Sequence, residues 1–204
     1  VTNIEELSHS ILFWRSFSHF IGGMGVLTFV MAILPLSRDD KSMHVLKAEM
    51  PGPTVAKLVP GLKKTLFYLY VIYVGLTLLE FILLLVGGLN IFDSILISMS
   101  TAGTGGFANL NTSLATYSMF NKYVVAIFMF LFGINFNIYF LIFIMKDIKT
   151  ALKSEELKAY FLFYFGAVIF ILINTINMFN SFNEALVSSV FHISSIMTGT
   201  GFSI

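Results

Sequence analysis

The chain has 204 residues, of which 57% are hydrophobic, 11% are charged and none is cysteine, and its mean hydropathy is +0.88. A charged fraction this far below the soluble norm of about 25% excludes an ordinary soluble domain and places the chain in a bilayer, while the lack of cysteine excludes disulfides and thiolate metal sites. The net charge of +1 identifies no partner and gives no sign of nucleic-acid binding; the placement of the charges is more informative.

No basic signal segment with a small-residue cleavage site opens the chain. It stops at Ile204, two residues after a glycine-rich string, and reads as an internal piece of something longer. Four segments are apolar and close to the ~20 residues a spanning helix needs. They run over Ile11–Leu36, Leu66–Val86, Tyr123–Met145 and Ala159–Ile176. Between the second and third lies Gly87–Lys122, which contains Thr101-Ala102-Gly103-Thr104-Gly105-Gly106-Phe107. After the fourth comes Asn177–Ile204, which contains Met197-Thr198-Gly199-Thr200-Gly201-Phe202. Ahead of each string, Asp93–Thr101 and Glu184–Ile196 fit half-length helices, too short to span. An acidic residue opens each, where the helix dipole favours it.

Charge placement tests the topology. Six of the twelve Lys and Arg lie in Ser37–Lys64 (Arg38, Lys41, Lys47, Lys57, Lys63, Lys64) and four in Lys146–Lys158 (Lys146, Lys149, Lys153, Lys158). These basic loops share a side only if the glycine-rich stretches enter and leave by the same face. The positive-inside bias makes that shared side the cytoplasm. An internal repeat follows: helix, re-entrant half-helix with string, helix, basic loop, then helix and half-helix again. Phe107 and Phe202 end equivalent strings 95 residues apart.

Glycine-rich backbone survives at membrane depth only where it lines a cavity. A half-helix entering from outside points its C-terminal carbonyls at the membrane centre. An extended Gly-Thr strand after it can turn successive carbonyls toward one axis and replace a cation's hydration shell. The candidate ligands are the carbonyls of Gly103, Thr104, Gly105, Gly106, Thr198, Gly199, Thr200 and Gly201, with side-chain oxygens of Thr104 and Thr200 as additions. Neither string holds a carboxylate, so neutral oxygens would do the ligation, which suits a dehydrated monovalent ion. The competing reading is that the strings only permit a turn or close helix packing.

Further residues carry a resemblance. Ile11-Leu12-Phe13-Trp14-Arg15-Ser16-Phe17 leads into Ile21-Gly22-Gly23-Met24-Gly25-Val26 and closes with Ala32-Ile33-Leu34-Pro35. Together with Pro51-Gly52-Pro53-Thr54, Gly75-Leu76-Thr77-Leu78-Leu79-Glu80, Gly133-Ile134-Asn135-Phe136-Asn137 and Lys153-Ser154-Glu155-Glu156-Leu157, this resembles TrkH-type potassium uptake proteins of the Trk/Ktr/HKT superfamily over essentially the whole chain. The resemblance implies an all-α membrane fold of helix–pore loop–helix repeats around a central pore, here an incomplete set. Residues 1–64 would end repeat 1 (outer helix 11–36) and add a cytoplasmic loop. Residues 65–158 would be repeat 2, with pore loop 88–107 and helix 123–145, and residues 159–204 would start repeat 3. It implies potassium as substrate, no cofactor, a homodimer in lipid, and a nucleotide-binding, TrkA-like regulatory subunit on the basic-loop face. It also implies a bacterial inner-membrane location. A sodium-permeable member of the superfamily and a coupled secondary transporter with re-entrant loops are the alternatives.

Arg15, one turn into its helix, is expected to snorkel or pair with Glu5 or Glu6. Glu80 lies deeper, with His19 a conceivable partner. Gly22, Gly23 and Gly25 are expected to permit close helix approach, Asn135 and Asn137 to bond between helices, and His192 to support packing or the string. His19, His44, His192 and the serines show no catalytic spacing, so an enzyme is not expected.

Overall fold

The computed structural model describes residues 3–23, 25 and 62–204. The rest of the segment expected over Ile11–Leu36 and nearly all of the basic loop Ser37–Lys64 lie outside the described residues. The described elements are α1 (His9–Gly23), α2 (Leu62–Val86), α3 (Ile91–Ala102), α4 (Met119–Phe132), α5 (Phe136–Phe143), α6 (Ile148–Lys153), α7 (Glu155–Thr175), a 3-10 turn (Ile176–Met178) and α8 (Phe182–Met197). The all-helical architecture follows from lipid offering no partner to backbone polar groups, so that each spanning segment must bond within itself.

By length and composition, Lys64–Val86 and Glu155–Met178 are able to cross a membrane. Both carry large apolar side chains outward, among them Phe67, Val71 and Ile82 on α2 and Leu162, Phe170 and Ile173 on α7. The half-helices expected from sequence are α3 and α8. Asn90 Oδ1 accepts from the Asp93 amide at 2.8 Å and Ser181 Oγ from the Glu184 amide at 3.2 Å, so each N-terminus has its orphan amide capped. Asp93 and Glu184 occupy the first turns.

The segment expected as one span over Tyr123–Met145 differs. It is α4 and α5, bent 89° across the break between them. Two residues set the bend. A Cβ at Gly133 would lie 2.4 Å from the Tyr160 hydroxyl and 2.7 Å from Thr198 Cγ2, so only glycine lets the chain turn against α7 and α8 there. Asn135 then starts α5 by accepting from the Asn137 amide at 3.0 Å, and its Nδ2 donates to Glu156 at 3.2 Å. Asn135 thus bonds between helices, as expected. Asn137 Oδ1 is buried with no partner among the described residues.

α1 and α3 lie side by side and parallel: the His9 and Phe92 rings meet at their N-terminal ends, 4.6 Å apart, and Gly23 meets Gly103 at the other. α4 and α8 repeat this arrangement. The Tyr123 hydroxyl donates to Asn183 Oδ1 at 2.5 Å at their N-terminal ends, and Gly133 meets Thr198 at the other. One core cluster runs between them, containing Leu84, Ile97, Val125, Met129, Phe191 and Phe202.

Candidate cation filter

The two strings begin where α3 and α8 end, and their backbones follow one pattern. Gly103 and Thr198 cap the helices at φ −77° and −89°. φ is then positive at Thr104 (52°) and Gly106 (64°) in the first string, and at Gly199 (71°) and Gly201 (87°) in the second, with Gly105 and Thr200 between them on the negative side. The strings are therefore not extended strands, as the sequence suggested; the hand alternates residue by residue. Such alternation gathers successive N–H groups on one side and leaves the carbonyls on the other.

The amide side is tied back to the half-helix. The Thr104 amide donates to Thr101 O at 3.0 Å and the Gly105 amide to Ser100 O at 2.8 Å, while the Phe107 amide donates to Ser100 Oγ at 2.5 Å. In the second string the Gly199 amide donates to Ile196 O at 3.2 Å and Gly201 to Ser195 O at 3.4 Å, and Ser195 Oγ donates to Phe202 O at 2.7 Å. Among the described residues, the carbonyls of Thr104, Gly105, Gly106, Thr198, Gly199, Thr200 and Gly201 accept no hydrogen bond. The Gly103 carbonyl is different: His19 Nδ1 lies 2.9 Å from it. The Thr200 hydroxyl is buried and lies 2.7 Å from Thr198 Oγ1. Since Thr198 Oγ1 donates its own proton to Ser194 O, Thr200 is the donor in that pair.

The strings touch. A Cβ at Gly106 would sit 2.1 Å from Thr200 O. Just beyond, the Leu114 amide donates to Ser203 O at 3.0 Å and the Ser203 amide to Ser113 Oγ at 3.1 Å. At the start of the half-helix, Asn109 bridges Asp93 to Tyr117: its Nδ2 donates to Asp93, and its Oδ1 accepts from the Tyr117 hydroxyl at 2.7 Å. Burial, and then the nearby Asp93 charge, push the Tyr117 hydroxyl up to about 12, so it keeps its proton and remains a donor at neutral pH.

A second internal correspondence was not foreseen. The Tyr73 hydroxyl donates to Phe20 O at 2.9 Å and the rings stack at 5.0 Å. The Tyr160 hydroxyl donates to Phe130 O at 2.9 Å, with the rings stacked at 5.2 Å. Each accepting phenylalanine stands three residues before the glycine, Gly23 or Gly133, that packs on the start of a string. The repeated structural unit is thus outer helix, tyrosine-bearing helix, half-helix and string: α1, α2 and α3, then α4, α7 and α8. Nothing in a one-dimensional pattern marks these tyrosines, because the pairing joins helices far apart in sequence.

The TrkH family profile, described as a cation transport protein, matches residues 1–174. The chain belongs to the TrkH family. It is similar to the Trk system potassium uptake protein TrkH of Escherichia coli (strain K12), at 29% identity over 99% of this chain and 42% of that protein. It is 30% identical to an uncharacterized cation transporter of Methanocaldococcus jannaschii, over 99% of this chain and 40% of that one. The crystal structure of the potassium transporter TrkH from Vibrio parahaemolyticus superposes with a TM-score of 0.77 at 25% identity, covering 98% of this chain and 40% of that one. The chain therefore spans about two fifths of the length of these relatives. It is an integral membrane protein with the TrkH fold.

Within this TrkH-family chain the polar residues singled out from sequence fall as follows. Arg15 pairs with neither Glu5 nor Glu6. Its Nη2 donates to Ala108 O at 3.1 Å and its guanidinium lies 4.5 Å from the Phe107 ring centroid. His19 is on the first string, not on Glu80. His192 bonds within α8, its Nδ1 2.8 Å from Ser188 O. Gly23 makes the close approach expected of it, whereas no described atom lies within 4 Å of a Cβ at Gly22.

Glu80 is fully buried, and neither of its carboxyl oxygens has a hydrogen-bond partner among the described residues. It faces the Thr101 hydroxyl, whose proton is committed to Ile97 O at 2.8 Å. Among the described residues the site supplies no donor and no cation, so an amide of the same shape loses nothing there, and its N–H can meet Thr101 Oγ1. Glu80→Gln is expected to leave the thermal midpoint in detergent within a few degrees of the parent. Glu80→Ala, which leaves a cavity, is expected to cost about 2–4 kcal/mol. Equal losses from both substitutions would show that the carboxyl itself is required.

Proposed function

We propose that this chain supplies two of the filter strings of a potassium-selective uptake pore. The single observation that carries the reading is the row of carbonyls, Thr104 to Gly106 and Thr198 to Gly201, without hydrogen-bond partners among the described residues, on backbones of alternating hand. Unpaired carbonyls inside a membrane protein cost free energy unless something else satisfies them. A dehydrated monovalent cation does so, held by neutral oxygens on a frame fixed from behind by Ser100 and Ser195. The Gly103 carbonyl, engaged by His19, contributes less to the ion than its neighbours. The Trk potassium uptake proteins among the relatives make potassium the favoured ion. The same membership supports a homodimer in a bacterial inner membrane, with cytoplasmic basic loops facing a nucleotide-binding regulatory subunit.

The packing reading makes a different demand on Gly201. A glycine needed for packing has atoms where its Cβ would go. At Gly201, as at Gly199, the described residues place none within 4 Å. Gly201→Ser in the complete protein, reconstituted into liposomes, is expected to reduce the preference for potassium and rubidium over sodium. The φ of +87° adds a conformational cost of only about 1–2 kcal/mol, so the variant should still fold. Unchanged ion preference in a folded Gly201→Ser protein would leave the string as a structural turn.

A further inference from the structure

The helices α1 and α4 can be set in register, because Phe20 and Gly23 of α1 correspond to Phe130 and Gly133 of α4 in both contact and spacing. That register assigns His19 to Met129 and Arg15 to Val125. At these positions the second unit has apolar side chains, and Val125 and Met129 share one buried cluster with Phe202 at the end of the second string. The first string is backed by a histidine and an arginine. On α1, Arg15, His19 and Gly23 recur every four residues and so form one stripe. Each member of the stripe touches the string: Gly23 against Gly103 Cα and Ala102 O, His19 against Gly103 O, Arg15 against the Phe107 ring and, one residue past it, Ala108 O.

We propose that Arg15 and His19 are positioning residues forming a polar brace that sets the first string's geometry, and hence its ion discrimination, in a way the second string does without. The proposal rests on the filter reading above.

The chemistry of the brace is specific. A carbonyl only accepts, so the proton between His19 and Gly103 O sits on Nδ1. That bond fixes the peptide plane at the point where the string leaves α3. The His19 ring also meets the Phe107 ring edge-on, with centroids 5.1 Å apart, and the Arg15 cation covers that ring. The brace thus grips the string at both ends, and Thr104, Gly105 and Gly106 hang between the two grips. A Cβ at Gly105 would lie 2.8 Å from His19 Cγ, and one at Gly103 2.6 Å from His19 O. Gly103 and Gly105 therefore make room for the brace, whereas no described atom lies within 4 Å of a Cβ at Gly199 or Gly201. The glycines of the two strings serve different ends. Glu80 extends the asymmetry: aligning Tyr73 with Tyr160 sets it opposite Ala167, so at these three positions the first unit has Arg15, His19 and Glu80 and the second has Val125, Met129 and Ala167.

The test uses the complete protein in liposomes, with potassium, rubidium and sodium flux measured for each variant. His19→Met, the residue of the equivalent position, keeps bulk but removes the donor. It is expected to lower the potassium-over-sodium preference about five- to tenfold, the scale of one lost hydrogen bond. His19→Asn, whose amide nitrogen stands near Nδ1, is expected to restore it; His19→Gln, with its donor displaced toward Nε2, is not. Arg15→Val is expected to act in the direction of His19→Met. Wild-type preference in His19→Met overturns the brace. Should His19→Met not fold, the Asn and Gln variants decide, and equal preference in the two overturns it. Gly201→Ser separates the two levels: a shift there with none in His19→Met rejects the brace alone, and no shift in either rejects the filter reading as well.

Discussion

Gly106→Ala is expected to abolish selective flux and to lower stability by about 2–5 kcal/mol, the sum of a left-handed backbone penalty of about 1–2 kcal/mol and an overpacking cost of about 1–3 kcal/mol. The new methyl would sit 2.1 Å from Thr200 O and 3.0 Å from the carbonyl carbons of Thr200 and Gly201. These are backbone atoms of the neighbouring string, so no rotamer change relieves the overlap. The φ of +64° at Gly106 adds strain for any side chain. Relief requires the strings to separate, and the Leu114 to Ser203 bond at 3.0 Å resists this just beyond the contact. Either the second string moves with the first and its carbonyls leave their positions, or the pair comes apart. Thermal unfolding in detergent and ion flux in liposomes measure the two consequences. A Gly106→Ala protein with the parent's midpoint and the parent's flux would mean that the strings are not in contact.

This contact marks the limit of what a linear reading reaches. The strings and their half-helices were legible because each is local: an acidic first turn, a short apolar run and a glycine cluster follow one another within twenty residues. The long helices α2 and α7 were legible because hydropathy is a sum over neighbours. The 89° bend between α4 and α5 was not, since hydropathy continues across Gly133 and Asn135 while the cause lies on α7 and α8. The alternating hand of the strings was hidden by Thr104, which takes a φ of 52° despite its branched side chain. His19 was named only as a conceivable partner for Glu80, and its bond to Gly103 O was out of reach: Glu80 and Gly103 are both remote in sequence, and only packing decides between them. Arg15 shows the same limit, since its acceptor is a backbone carbonyl, which every residue offers.

Two adjacent glycines on α1 are expected to have opposite fates. Gly23→Ala places a methyl 2.5 Å from the Tyr73 hydroxyl and 2.9 Å from Gly103 Cα. The tyrosine cannot swing aside freely, because its hydroxyl is held by Phe20 O at 2.9 Å and its ring is stacked on Phe20. The other neighbour is backbone at the root of the string. The overlap costs about 1–3 kcal/mol, partly offset by the roughly 1 kcal/mol that alanine gains over glycine within a helix. More consequential is the direction of the push, which drives α1 away from Gly103 and lengthens the His19 to Gly103 bond. Gly22→Ala meets no described atom within 4 Å and keeps the helical gain of about 0.5–1 kcal/mol. At about 2–4 °C per kcal/mol for a chain of this size, the two variants should differ in midpoint by about 5 °C. Ion selectivity should survive in Gly22→Ala and fall in Gly23→Ala. The same logic applies at Gly133, where Tyr160 and Thr198 take the places of Tyr73 and Gly103. If Gly22→Ala and Gly23→Ala behaved alike, the glycine pair would be serving helix flexibility, and the contact of α1 with the first string would not be what holds the string in place.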